Sequence, residues 1–416
     1  MKTYKNSRLL WFWGVVCCGI LNACSGGKED APQPAPALVV SESVLQPVAE
    51  GQTHRVIIQF DGEWTIGGET DWCKPNKKRG SHTDTVLITV AENIFREVRI
   101  CELTVKPQTG EQSHIQVKQE GARKDHLYRL PVVFHVLYEN EQDINQNING
   151  AFFESLLPDC NLAYRQGHNG LDLGVEFYMA THDPEGRQLA EPGIHRVPWR
   201  ASSMSCYEFI QSSDAGDVAL IWKPSEYVNV VVFRFTEGSG LSAISTMPFT
   251  VSWDPLSGLR NGDAYFGRAF GEVYCIAFNT QYIIRPEAGK TLAHELGHYL
   301  GLFHVFSDAD ELQTDYCGDT PNYNRAAYMQ EAQRIIAAEG PDSPRLYERT
   351  GDKGEVFVSR NMMDYEYTYQ DEFTPDQYKR VRHVLENSPL IPGPKKMAGP
   401  KEVKSGYPLP PALIAR

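Results

Sequence analysis

The apolar periodicity of this chain changes once, near Lys124-Asp125, and that change limits the folds open to it. Before it, apolar and polar residues alternate in short runs: Val56, Ile58 and Phe60; Val86, Ile88 and Val90; Cys101, Leu103 and Val105; Ile115 and Val117. Turn-forming pairs separate the runs at Asp61-Gly62, Gly67-Gly68, Pro75-Asn76 and Thr109-Gly110. A period of two broken by regular turns predicts an all-β sandwich over residues 38–122. After the change, an apolar run at 130–137 precedes an amphipathic pattern at 151–164, and further apolar runs follow at 175–180 and 228–235. Strands alternating with helices predict a mixed α/β domain carrying a site over residues 126–390. With 416 residues, 41% of them hydrophobic, the chain can bury a core in each unit.

The N-terminus has a processing pattern. Lys2, Lys5 and Arg8 precede an apolar run at 9–21, shorter than the ~20 residues of a spanning helix, so residues 1–23 read as an export signal. The run closes on Leu21-Asn22-Ala23-Cys24, which resembles the bacterial lipobox and implies lipidation of Cys24. Residues 24–37 are small, polar and Pro-rich, the composition of a tether, so the folded part is expected to stand off an outer membrane, facing outward. Lys+Arg 40 against Asp+Glu 53 gives a net charge of -13 without a basic stripe, which argues against a nucleic-acid partner. Beyond the signal and Cys24 the cysteines are Cys73, Cys101, Cys160, Cys206, Cys275 and Cys317. An even number in an exported chain permits disulfides without specifying them, and no Cys-x-x-Cys pair suggests a thiolate zinc site. The Pro- and Lys-rich end, residues 391–416, reads as a surface extension beginning about Ser388.

One stretch carries chemistry. In HELGHYLGLFH, His294 and His298 are four apart, so on a helix both imidazoles lie on one face and can converge on one cation. Glu295, next to the first ligand, reaches a water instead of the metal. Gly301 supplies the left-handed residue that ends the helix, so the chain can turn back and present His304 as third ligand. Three neutral imidazoles leave a fourth zinc position open, the arrangement of a catalytic site. Leu292, Leu296 and Leu300 form the stripe that would bury the helix.

This motif resembles that of the metzincins, and several segments narrow the resemblance to the pappalysin branch: Leu130-Pro131 through His135 to Tyr138, Tyr227 to Asn229, Cys317-Gly318-Asp319-Thr320-Pro321 and Asn361-Met362-Met363-Asp364-Tyr365. The resemblance implies a zinc endopeptidase in which Met363 is the Met-turn residue beneath the metal and Tyr365 supports the oxyanion beside the cation. It implies that Glu295 acts as general base in attack by water on a protein or peptide substrate. The relatives carry cysteines on both sides of the Met-turn, whereas Cys317 is the only Cys after the zinc helix here. Where basic-specific relatives place an acidic residue, this chain has Tyr369 and Gln370, with Asp371 and Glu372 displaced by one or two positions. Asp308, Asp310, Asp315 and Asp319 resemble the family's calcium region, with a solvated acidic loop as the alternative.

Trp64-Thr65-Ile66, Asp71-Trp72-Cys73, Gly80, residues 93–99 and residues 117–121 resemble the BACON domain, an immunoglobulin-like module. The resemblance implies glycan or mucin binding through Trp64 or Trp72, against which stands a spacer whose tryptophans pack its core. The rival to an enzyme is thus a surface glycan-binding lipoprotein with an inert metal site. Against it, neither Glu295 nor any histidine of the motif is missing.

Overall fold

The computed structural model describes residues 37–95, 97–121, 127–236, 240–262, 272–308 and 315–395. The export signal, Cys24, the tether, Asp310 and residues 396–416 lie outside the described residues.

The N-terminal unit is a sandwich of two sheets. One has the order β1 (Val39–Val40), β3 (Gln52–Gln59), β7 (Asp84–Val90), β5 (Cys73–Pro75). The other has the order β2 (Val44–Leu45), β9 (Ser113–Gln119), β8 (Arg99–Pro107), β4 (Glu63–Gly67), β6 (Arg79–Ser81). The strands alternate as their sequences demand: Val86, Ile88 and Val90 of β7 are buried, while Leu87 and Thr89 between them are exposed. Trp64 lies in this core, 1% exposed, and its indole N–H donates to the carbonyl of His82 at 3.1 Å. Gly80 lies against the Trp64 ring, where an added Cβ would come within 2.2 Å of it. Trp72 is half-buried at the core's edge, with the Arg99 guanidinium 4.4 Å from its ring centre.

The second unit is built on a central strand, β10 (Tyr128–Tyr138). Its first half pairs with β11 (Val175–Met179) and its second half with β12 (Ile194–Pro198) on the same side, both parallel. On the other side follow β13 (Val228–Phe233), β17 (Ile276–Asn279) and, antiparallel at the edge, β14 (Ala243–Ser245). Every residue of β13 is buried, as expected for a strand covered on both faces. One face packs on α2 (Leu156–Arg165), α6 (Ala288–Tyr299) and α8 (Pro375–Asn387); the other packs on α3 (Cys206–Ile210) and α4 (Ala215–Leu220). A single helix was expected at 151–164, but α1 (Gly150–Glu154) and α2 are separate, with Ser155 between them. The short pair β15 (Phe249–Thr250) and β16 (Arg260–Asn261) precedes β17, and α5 (Thr280–Ile283) follows it.

After α6 come β18 (Phe306–Ser307), paired with β19 (Tyr323–Asn324), then α7 (Arg325–Glu339) and the hairpin of β20 (Glu348–Thr350) and β21 (Val356–Val358). The expected start of the surface extension needs correction. Leu390 and Ile391 are buried in the same core as the zinc-motif helix, the Tyr128 hydroxyl donates to the Pro394 carbonyl at 3.1 Å, and the Lys395 ammonium donates to the Leu385 carbonyl at 2.6 Å. Two apolar side chains outweigh the Pro- and Lys-rich composition, so residues 388–395 are part of the fold. The six cysteines are free thiols and all are buried. Among the described residues no helix is long and apolar enough to cross a membrane.

Candidate metal centre

Helix α6 holds the site because both of its faces are committed. Leu292 and Leu296 bury one face against the sheet, and α2 clamps the N-terminal half: the Tyr164 hydroxyl donates to the Ala293 carbonyl at 3.1 Å. Gly289 is required there, since a Cβ would meet the Asp159 carboxylate at 2.3 Å. The helix ends in a Schellman turn, with the Leu302 N–H on the Gly297 carbonyl and the Gly301 N–H on that of His298, both at 2.9 Å. Gly301 has φ +90°, and the reversal brings His304 back over the helix.

The three imidazoles then converge. Their Nε2 atoms lie 3.1 Å (His294 to His298), 3.0 Å (His298 to His304) and 3.2 Å (His294 to His304) apart. His294 donates from Nδ1 to the Met362 carbonyl and His298 from Nδ1 to the Leu302 carbonyl, each at 2.8 Å. A neutral imidazole with its proton on Nδ1 has a bare Nε2, so the lone pairs of His294 and His298 point into one space, a donor set that fits a cation. Burial pushes the His294 imidazole down to about 4 and those of His298 and His304 well below the usual range, which keeps all three neutral. Glu295 is 5% exposed, its Oε2 has no hydrogen-bond partner, and burial pushes its carboxyl up to about 8. A buried carboxyl oxygen without a partner is costly unless a ligand supplies one, and a cation held by the adjacent imidazoles would draw Glu295 back to its ionised, proton-accepting form.

Met363 lies directly under this helix. Its sulfur occupies the space of a missing side chain at Gly297, where a Cβ would meet it at 2.4 Å, so this glycine admits the Met-turn. Tyr365 stands at the rim, its ring centre 4.6 Å from that of His304 and 5.1 Å from that of His294. Burial, then the nearby Glu295, push its phenol upward, so it is a protonated donor. The structure thus brings together all the residues singled out in the motif and the Met-turn: His294, Glu295, His298, His304, Met363 and Tyr365.

Other expected features are engaged elsewhere. Asp308 pairs with Arg325 at 3.0 Å; Asp315 accepts from the Thr320 hydroxyl at 2.6 Å and the Cys317 N–H at 3.0 Å; Asp319 accepts from the Asp376 N–H at 2.9 Å. Among the described residues these three carboxylates are thus bonded to protein donors, and Asp310, the fourth of the set, lies outside the described residues. Asp371 and Glu372 both face Arg360, at 2.5 and 3.2 Å, and so are already paired.

Two polar groups of the second domain were not visible in the sequence. Arg349 is fully buried, 3.5 Å from Asp364, and donates to the carbonyls of Tyr365 (3.1 Å) and Glu366 (2.7 Å). Asp364 accepts from the Tyr323 hydroxyl at 2.5 Å and from Ser359. This pair anchors the chain on either side of Tyr365 from below. The second group is His135, whose Nε2–H donates to Asn229 Oδ1 and whose Nδ1 meets that of His195, both at 2.9 Å. The partners of Arg349 and His135 are mostly distant in sequence, and only the LPVVFHVLY and Tyr227–Asn229 segments hinted at the second group.

Comparison with known proteins agrees with this geometry. Residues 212–386 match the family described as pregnancy-associated plasma protein-A, and residues 62–120 match the BACON family. An extracellular metalloprotease of Arthroderma benhamiae is 36% identical over 96 residues, 22% of this chain and 30% of that protein. One from Aspergillus oryzae is 31% identical over 100 residues, covering 23% and 27%. The match therefore spans less than a third of the length of these curated relatives. Mature mirolysin of Tannerella forsythia, solved with a cleaved peptide, aligns over 62% of this chain and 90% of its own at 23% identity and a TM-score of 0.43. The likeness to the pregnancy-associated plasma protein-A family thus falls on residues 212–386, which hold the three converging histidines, and the likeness to the BACON family on residues 62–120 ahead of them.

Proposed function

We propose that this chain is a zinc-dependent endopeptidase, exported and lipid-anchored through Cys24. The observation that carries the reading is the convergence of three neutral imidazoles beside a buried, unpartnered Glu295 oxygen and a protonated Tyr365. His294, His298 and His304 would hold the cation, and zinc suits three imidazoles with an open position. When bound, zinc supplies Lewis acidity toward water and toward the scissile carbonyl. Glu295 takes the proton of the attacking water and returns it to the leaving amine. The Tyr365 hydroxyl donates to the carbonyl oxygen as it gains charge. No bond forms between enzyme and peptide. Asp371 and Glu372, the acidic residues displaced from the position that basic-specific relatives use, are both paired with Arg360, so neither is singled out as the partner of a basic substrate side chain.

A glycan-binding lipoprotein with an inert metal site is the weaker reading, because Trp64 is covered on both sides and Trp72 lies under Arg99. A digest of a peptide library with and without a zinc chelator separates the two. Cleavage that stops with the chelator and returns with zinc supports the enzyme; no cleavage under either condition contradicts it. For the anchor, Cys24→Ala should move the protein from the detergent-extracted membrane fraction to the soluble fraction with activity intact. A variant that stays in the membrane fraction removes the lipidation.

A further inference from the structure

The sandwich does not end at its own core. Its loop between β7 and β8 sends Ile94 and Phe95 into the other domain: Ile94 is 7% exposed within the apolar cluster that contains Leu292 and Leu296, and Phe95 packs on the same cluster. The backbone of Phe95 forms an antiparallel bridge with Leu171, which is fully buried. This loop is built to hold its shape. Asn93, 1% exposed, donates to the carbonyls of Glu97 (2.9 Å) and Glu120 (3.0 Å) and accepts from the Phe95 N–H at 3.2 Å. Gln119, fully buried, donates to the carbonyls of Val48 (2.8 Å) and Ala91 (2.9 Å) and accepts from Arg99 at 2.8 Å. Asn93 and Gln119 are, among the described residues, the buried polar side chains of the sandwich, and both support this one loop.

What the loop touches leads to the metal centre. The turn that ends in Leu171 holds the segment after the Met-turn: the His168 N–H donates to the Asp371 carbonyl at 2.8 Å and the Asn169 amide to the Phe373 carbonyl at 2.7 Å. Between those two points, the Glu372 carbonyl accepts from the Met362 N–H at 2.8 Å. The Met362 carbonyl, in turn, is the acceptor that orients His294. Phe373 also packs on Tyr164, whose hydroxyl holds α6 at Ala293.

We infer that the sandwich is a docked positioning element of the peptidase: Ile94 and Phe95 brace the turn at 167–171, which sets residues 371–373, the Met362 carbonyl and so the orientation of His294. The inference rests on the peptidase reading for its effect on turnover, but the docking stands without it. A protein with a recognition site for a specific protease in place of residues 122–126 tests both parts. After cutting, the sandwich and the peptidase domain should co-elute on gel filtration; separate elution overturns the docking whether or not the protein is active. In the uncut chain, Ile94→Asp with Phe95→Ser should raise hydrogen exchange at the Met362 amide. It should also lower kcat about 10-fold or more with KM little changed, as for misplacement of a reacting group by a distant side chain. The conservative Phe95→Leu should restore both, which also excludes misfolding as the cause. Wild-type exchange and kcat in the double variant would overturn the positioning role.

Discussion

The two domains bury opposite kinds of interior. In the sandwich, period-two strands place apolar side chains inward, and among the described residues the interior is apolar apart from the two amides that shape its docking loop. In the second domain, the central strands β13 and β17 are buried on both faces, and charged or polar groups such as Arg349, Asp364, His135 and Asn229 lie fully inside. A buried polar group must be satisfied, so it fixes geometry that apolar packing alone would leave adjustable. The sandwich can therefore serve as a rigid body placed by contact, while the peptidase domain holds its site by directed bonds.

The sharpest break between the two should come at Glu295. Glu295→Gln keeps all three imidazoles and the shape of the side chain, so metal content and unfolding temperature should stay near wild type while turnover falls ~10²–10⁴-fold. Cleavage at the wild-type rate would remove Glu295 as base.

Core damage should separate the domains next. Trp64→Ala opens a cavity in the sandwich and should cost about 3–5 kcal/mol. Arg349→Met leaves Asp364 buried without its cation and should cost a similar ~3–5 kcal/mol in the peptidase domain. The contrast lies in repair: adding Asp364→Asn to Arg349→Met should recover part of the loss, because it removes the unpaired charge. Urea unfolding measures all three, and equal stability of the single and double Arg349 variants would show that no charge had been stranded.

The smallest effect expected is on acid stability. Burial, then the neighbouring His195, push His135 down to about 3, against an ordinary value of 6.5. Its folded value is depressed, so its contribution is whole above pH 6.5 and is lost as pH falls toward 3. Between pH 7 and 5 the wild type should lose about 2 kcal/mol more stability than His135→Gln. Parallel pH dependence in the two proteins would mean that this imidazole reaches solvent.

The same contrast explains what the sequence disclosed. Alternation made the sandwich strands readable, and the offsets of His294, His298, Gly301 and His304 were readable because one helix and one turn determine where they point. Tyr365 and Met363 came only by resemblance, since nothing local distinguishes them from packing residues. The docking of Ile94 and Phe95 and the burial of Leu390 and Ile391 stayed hidden because each depends on partners from remote parts of the chain, and Arg349 because its partners lie beyond any local periodicity, up to the turn at 364–367. Composition even misled in the last case, where Pro and Lys surround two residues that the core needs.

The central claim is that a turned-back third histidine completes a catalytic metal centre. Zinc content and X-ray absorption of the purified protein, beside His304→Ala, test it most directly. The account predicts one zinc per wild-type chain with three imidazole nitrogens at ~2.0–2.1 Å, and loss of the metal from His304→Ala on dialysis. Unchanged zinc content and coordination in His304→Ala would contradict it.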